Sequence, residues 1–311
     1  MERRSFIKST TAATAASLVT STAITHAASP VIFASEAPEK QNFKLKYAPH
    51  FDMFRNHAGE DPIDQLQFIA DAGFKAFEDN GMKGRDVGLQ EKIASKMAKL
   101  GLQMGVFVAH SIYWDEPNLT SGDKDKLEEF LKEITESVEV AKRVNATWMT
   151  VVCGHVDLRQ EIDYQTRNVV EALKRASEIL EPHKLVMVLE PLNFRDHPGL
   201  FLKKVPQAYQ ICQAVGSPSC KILDDLYHQQ IQEGNLIPNI DLAWEEIGYF
   251  QIGDNPGRQE PTTGEINYKN VFGHIYSKGY AGILGMEHGI SKSGKEGELA
   301  LINAYAEADN F

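Results

Sequence analysis

Eight short apolar runs, each followed by a longer polar or amphipathic stretch, recur from residue 45 to the end of this chain, and that alternation limits its folds more than any other feature. The runs read LKYAPHF, KAFED, QMGVFVAH, TWMTVVC, VMVLEPLN, CKILDDL, YFQIGD and GILGMEH. Between them lie segments such as DPIDQLQFIADAG, LQEKIASKMAKLG, KLEEFLKEITESVEVAKRV and YQTRNVVEALKRASEIL, whose apolar residues return every three or four positions. A helix lying on a sheet shows that period, and strands separated by helices pair in parallel because a parallel neighbour needs a crossover. Gly73, Gly101 and Gly279 close such segments, as residues suited to the left-handed position after a helix. Eight repeats allow the sheet to close, and APHFDMF after the first run lacks the glycine-rich phosphate turn of an open nucleotide-binding sheet. The expectation is an α/β fold, a (β/α)8 TIM barrel, as a single domain over residues 44–311. A long ordered loop is expected over 229–247, before the helix that follows the sixth strand.

A closed barrel brings the C-terminal ends of its strands to one mouth. The polar residues expected there are His50, Glu78, His110, His155, Glu190, Asp225, His228, Gln251, Asp254, Arg258, Glu287 and His288. Four stand out by spacing. Glu190, Asp225, Gln251 and Glu287 lie 35, 26 and 36 residues apart, each near the end of an apolar run and close to one strand-helix repeat from the next. A carboxylate where a buried strand ends is costly unless it is paired or binds a cation. Three at one mouth repel one another, and the Gln251 amide adds a neutral oxygen of the kind hard cations accept. The set predicts a metal site of Glu190, Asp225, Gln251 and Glu287 for one divalent cation, Mg²⁺ or Mn²⁺ before copper or structural zinc. Asp224 and Asp225 alternate across the strand, so only one of them points inward. His228, three residues after Asp225, and Arg258, seven after Gln251, are candidate substrate contacts, with His110 as a third. A planar guanidinium fits a carboxylate or paired hydroxyls. The alternatives are a packing or capping role for His228, and a salt bridge from Arg258 to Asp254 or Glu260.

The N-terminus has a different character. Residues 1–28 open with RRSFIK, continue through a weakly apolar Ala/Thr-rich stretch and reach small residues at Ala27 and Ala28, the layout of an export signal. The paired Arg3 and Arg4 resemble a twin-arginine signal, which implies a periplasmic destination. Residues 29–43 read as a linker. The formal net charge of -11, moving to near -13 without a leader that carries three basic residues and one acidic, argues against a nucleic-acid partner. No later segment approaches the roughly 18 uninterrupted apolar residues of a membrane span. Three cysteines cannot all pair internally. A Cys212–Cys220 disulfide is the nearest option, and three buried thiols including Cys153 the preferred one.

Four segments, LEPLN (189–193), DLYHQQIQEGNL (225–236), QIGDNPGRQEPTTGEINY (251–268) and GYAGILGMEH (279–288), resemble the hydroxypyruvate isomerase family of the xylose-isomerase-like TIM barrels. The NPGR and GEINY elements are the specific part of that resemblance. It implies a divalent metal on Glu190, Asp225, Gln251 and Glu287, proton transfer by Glu190 and Glu287, and substrate contact by His228 and Arg258. Where the family usually carries His, this chain has Gln259, and CGHVD puts a histidine in a loop that lacks one in the family. The activity so implied is a metal-dependent isomerisation or epimerisation of a small hydroxy-carbonyl compound, such as hydroxypyruvate, a keto-sugar or a sugar acid. A non-catalytic periplasmic sugar-binding protein on a degenerate barrel is the alternative, and a metal-dependent phosphodiesterase a more distant one. Related barrels often pair, so a homodimer is compatible with this reading.

Overall fold

The computed structural model describes residues 39–311. The expected signal segment and most of the expected linker lie outside them. Ten α-helices and eight strands alternate among the described residues: β1 (Lys46–Ala48), α1 (Arg55–Ala58), α2 (Pro62–Asp71), β2 (Ala76–Phe77), α3 (Val87–Leu100), β3 (Gln103–Met104), α4 (Lys124–Val144), β4 (Trp148–Val151), α5 (Ile162–Leu180), β5 (Val186–Leu189), α6 (Val205–Val215), β6 (Cys220–Asp225), α7 (Leu226–Gln232), α8 (Leu236–Ala243), β7 (Ile247–Gln251), α9 (Tyr268–Ser277), β8 (Ile283–Gly285) and α10 (Gly294–Ala308).

All pairings between the named strands are parallel. One sheet runs β1-β8-β7-β6-β5-β4 and β2 pairs with β3. The gap between β3 and β4 is bridged at Met104–Ala146 and Val108–Thr150. On the other side the Glu78 amide donates to the Pro49 carbonyl at 3.1 Å. The curled sheet therefore closes as the (β/α)8 barrel that the alternation predicts.

Alternation along the strands sets the layers. Ala48, Ala76, Val106, Val188, Leu223, Tyr249 and Ile283 form a buried cluster with nearly one member per strand, which fills the barrel interior. Two positions further on the same faces stand His50, Glu78, Glu190, Asp225 and Gln251, so the apolar plug is capped by a polar layer. In β8 that step lands on Gly285, and the acid comes two residues later as Glu287. A larger apolar cluster fills the space between sheet and helices. The helices contribute Ile93 and Met97 of α3, Phe130, Ile134 and Val138 of α4, and Val169, Leu173 and Leu180 of α5, all buried.

Two boundaries differ from the sequence expectation. The segment 229–247 is not an extended loop. It carries the end of α7, then α8, whose Leu236, Ile240 and Ala243 recur at helical spacing and are buried. Phe43, at the end of the expected linker, is buried and stacked on Phe74 with ring centroids 4.9 Å apart, and Gln41 donates its amide to the Ala72 carbonyl. The barrel thus claims residues that polarity alone assigns to a tether. Cys153, Cys212 and Cys220 are free and buried, with the Cys212 and Cys220 sulfurs 4.0 Å apart. No helix among the described residues is long and apolar enough to cross a membrane.

Candidate active site

β6 ends on Asp225, which serves twice. Its Oδ1 caps α7 by accepting from the Tyr227 amide at 2.8 Å, and its Oδ2 accepts from Arg258 Nη2 at 3.2 Å. The same guanidinium nitrogen donates to Glu287 Oε2 at 2.7 Å. Glu287 Oε1 takes a further hydrogen bond from Asn80 Nδ2 at 2.8 Å. Arg258 stands in the left-handed region (φ 47°), which costs a non-glycine residue about 1 kcal/mol. Its guanidinium group lies over the Tyr227 ring, 4.9 Å from the centroid.

The loop behind Arg258 is pinned independently. Buried Asp254 accepts from the amides of Asn255, Gly264 and Ile266, and buried Glu260 holds the Ser291 amide at 2.9 Å and its hydroxyl. The salt bridge from Arg258 to Asp254 or Glu260 is therefore not formed. Both acids serve backbone groups, and the arginine is left for the mouth.

His228 sits on the first turns of α7, buried. Its Nδ1 accepts from Asn193 Nδ2 at 2.6 Å, which places the proton of the neutral ring on Nε2. Nε2 then faces Asp225 Oδ2 at 3.5 Å and Glu190 Oε1 at 3.8 Å. One atom from each of Glu190, Asp225 and His228 falls within 4.8 Å of the others. Burial lowers the His228 pKa to about 4, so the ring is neutral at physiological pH and presents an N–H donor to the mouth. Asn193 is fixed in turn by Asp196, which also accepts from the Tyr227 hydroxyl at 2.9 Å.

Gln251, the last residue of β7, donates Nε2 to Glu78 Oε1 at 3.3 Å, leaving its own Oε1 buried and without a partner. Glu78 is 1% exposed and accepts at Oε2 from the Tyr249 hydroxyl at 2.9 Å. Room for this pair comes from two glycines: a Cβ on Gly285 would overlap the Glu78 carboxylate, and one on Gly105 would overlap the Tyr249 hydroxyl.

Charge is crowded here. Burial raises the Glu190 carboxyl well above its ordinary range, with Glu287 and Asp225 adding to the shift. Loss of hydration raises Glu287 to about 7, partly countered by Arg258. Glu78 is raised as well, by burial first and then by Glu287. Acids placed this close need a proton or a positive charge between them. The donor set fits a hard divalent cation: three carboxyl groups, two of them (Glu190 and Glu287) raised by burial, and the Gln251 amide oxygen buried with no hydrogen-bond donor.

The other expected residues separate from this group. His110 is buried, accepts from the Val152 amide at 3.2 Å and meets Phe130 of α4 edge-on, so its ring is engaged by backbone and helix. His155 bonds the Val156 carbonyl, and His288 bonds the Tyr305 hydroxyl at 2.7 Å. His50 lies beside Glu287 in a cleft of about 300 Å³ that Phe51, Asn80 and Arg85 also line. Asp224 points away from the mouth, buried with neither oxygen bonded. Sequence reasoning missed Asn80, Asn193 and Tyr249. Asn80 sits in FEDNG at the end of β2, and Asn193 closes LEPLN, so strand-end position was their only available signal.

Residues 66–305 match the family model described as the xylose isomerase-like TIM barrel. The chain is 32% identical to hydroxypyruvate isomerase of Escherichia coli over 161 residues, covering 52% of this chain and 62% of that protein. It is 27% identical to 2-oxo-tetronate isomerase of Pectobacterium atrosepticum over 232 residues, 73% of this chain and 86% of that one. Among solved structures, an AP endonuclease, family 2, from Brucella melitensis superposes with a TM-score of 0.72 at 24% identity, over 81% of this chain and 96% of that one. With most of the barrel inside the matched region, this chain belongs to the xylose isomerase-like TIM barrel family.

Proposed function

We propose that this protein is an isomerase or epimerase of a small hydroxy-keto compound, working by proton transfer between two glutamates at the barrel mouth. The observation that carries the reading is the pair Glu190 and Glu287 at one mouth, both raised above the ordinary carboxyl range by burial and flanked by two donors, His228 Nε2 and Arg258. A carboxyl group whose pKa lies near the working pH can both take and return a proton. The names of the relatives, isomerases of a hydroxy-keto acid and of an oxo-tetronate, agree with that chemistry.

In this reading one glutamate removes the proton α to the substrate carbonyl and the other delivers a proton to the neighbouring carbon, or to the opposite face in an epimerisation. The intermediate is an enediolate whose developing negative charge faces Arg258 and the His228 N–H. Neutral His228 donates without competing for the transferred proton. Arg258, with its backbone held by the Asp254 and Glu260 anchors, orients the substrate oxygens. Glu190, Asp225, Gln251 and Glu287 would hold one divalent cation, Mg²⁺ or Mn²⁺, which supplies Lewis-acid polarisation of the carbonyl and its adjacent hydroxyl. The substrate is a small sugar or hydroxy-keto acid, and a homodimer is compatible with the fold. Residues 1–28, with Arg3 and Arg4, would direct the folded protein to the periplasm.

The test is proton-exchange NMR in deuterated buffer with hydroxypyruvate and a panel of keto-sugars and their acids. The expected result is deuterium incorporation α to the carbonyl with at least one substrate, lowered roughly 10²–10⁴-fold by Glu190→Gln or by Glu287→Gln. Near-full turnover by either variant contradicts the assignment.

A further inference from the structure

Glu78 is a carboxylate that the proposed chemistry does not use, yet the barrel is shaped around it. It lies at the end of β2, 1% exposed, in the polar layer directly above the apolar plug. Two neighbouring strand ends carry glycine at the positions whose side chains would collide with it and with Tyr249. Its two oxygens are used differently. Oε2 accepts from the Tyr249 hydroxyl at 2.9 Å, and Oε1 accepts from Gln251 Nε2 at 3.3 Å. An amide side chain looks the same from both ends except for its hydrogen bonds, so the group on one end decides which atom the other end presents.

We infer that Glu78 is a positioning residue that holds the Gln251 amide with its oxygen, rather than its nitrogen, available to the candidate cation site. The unpartnered Gln251 Oε1 is the consequence. With Glu78 accepting, Nε2 is committed and the oxygen is the only atom left on the far side. This inference rests on the proposed cation site and adds a supporting residue on a strand outside the four. Partners that orient a ligand typically contribute 10–100-fold in metal affinity.

Glu78→Gln tests it with little change of volume. Tyr249 donates to the new amide's oxygen, so the amide nitrogen faces Gln251 and draws its oxygen away from the mouth. Mn²⁺ is titrated into the EDTA-treated full chain, with free Mn²⁺ read by electron paramagnetic resonance. The expected result is binding weakened about tenfold or more in Glu78→Gln. In a Gln251→Ala background the same change should alter binding less than twofold, because the residue through which it acts is gone. A merely structural role would lower affinity by the same factor in both backgrounds, and that result overturns the inference. So does unchanged Mn²⁺ binding in folded Glu78→Gln. If Glu78→Gln does not fold, Tyr249→Phe takes its place in the same cycle, because it frees the Glu78 oxygen that the hydroxyl fixes. Wild-type protein that binds no Mn²⁺ would remove the proposed cation site and this inference with it, whereas binding that ignores Glu78 removes this inference alone.

Discussion

Replacing Glu287 with Gln should make the stability difference between variant and wild type depend on pH in a direction opposite to that of an ordinary salt-bridged acid. The Glu287 pKa is raised from 4.5 to about 7 in the folded protein, chiefly by loss of hydration. A carboxyl group raised on folding contributes stability that is fully present below its unfolded pKa and lost as pH rises through its folded one. Between pH 5 and 8 that loss integrates to about 2–3 kcal/mol for a shift of this size. His110, His228 and His288 are each lowered to about 4, chiefly by burial, and act in the other sense, adding stability as pH rises toward 6.5. Their contribution cancels when the two proteins are compared at each pH. Urea unfolding of the EDTA-treated proteins at pH 5, 6.5 and 8 should therefore show Glu287→Gln gaining about 2–3 kcal/mol on wild type across the series, or roughly 5–8 °C in melting temperature. Saturating Mn²⁺ should abolish or reverse the gain, since a positive charge favours the ionised acid. A pH-independent difference would refute the claim that Glu287 is held near neutrality by its surroundings.

Arg258→Lys keeps the charge but loses the planar group that lies over Tyr227 and sets the Nη2 that bridges Asp225 and Glu287. The expected result in steady-state kinetics is a rise in KM of about tenfold or more, with a smaller change in kcat if the residue mainly orients substrate. Replacing Arg3 and Arg4 together with Lys should leave the protein in the cytoplasmic fraction, followed by immunoblotting of periplasmic and cytoplasmic extracts, while the barrel's melting temperature stays unchanged.

The strand ends were legible because burial and alternation act together on short runs. VMVL, KILD and GILG are apolar enough to be strands, so an acid at or just beyond the end of such a run must face the mouth or find a partner. Asp225 obeys the rule through its bond to Arg258, and Asp224 is the exception, buried on the other face without a hydrogen-bond partner and with its carboxyl raised by burial. His110 was not legible in the same way. It lies six residues past the end of β3, where the backbone crosses to pair with Thr150, and the regular alternation no longer fixes its direction. The helix α8 was hidden by its length, since eight residues with Pro238 among them give a weak periodic signal. Glu78 appeared only as one polar rim residue among many. Its importance depends on Tyr249 and Gly285, which lie more than 170 positions away and announce nothing individually.

Those long-range dependencies carry an evolutionary consequence. A lineage that retains an acid at position 78 can accept alanine at position 285 only by moving that carboxylate, and a side chain at position 105 would displace the Tyr249 hydroxyl. A lineage that loses the acid is released from the restriction at position 285, while the Tyr249 hydroxyl and the Phe77 carbonyl still crowd position 105, and its position 251 loses the acceptor that fixes the amide. Positions 78, 105, 249, 251 and 285 should therefore drift as a linked group, and the choice of ligand at the seventh strand would follow from what the second strand can hold.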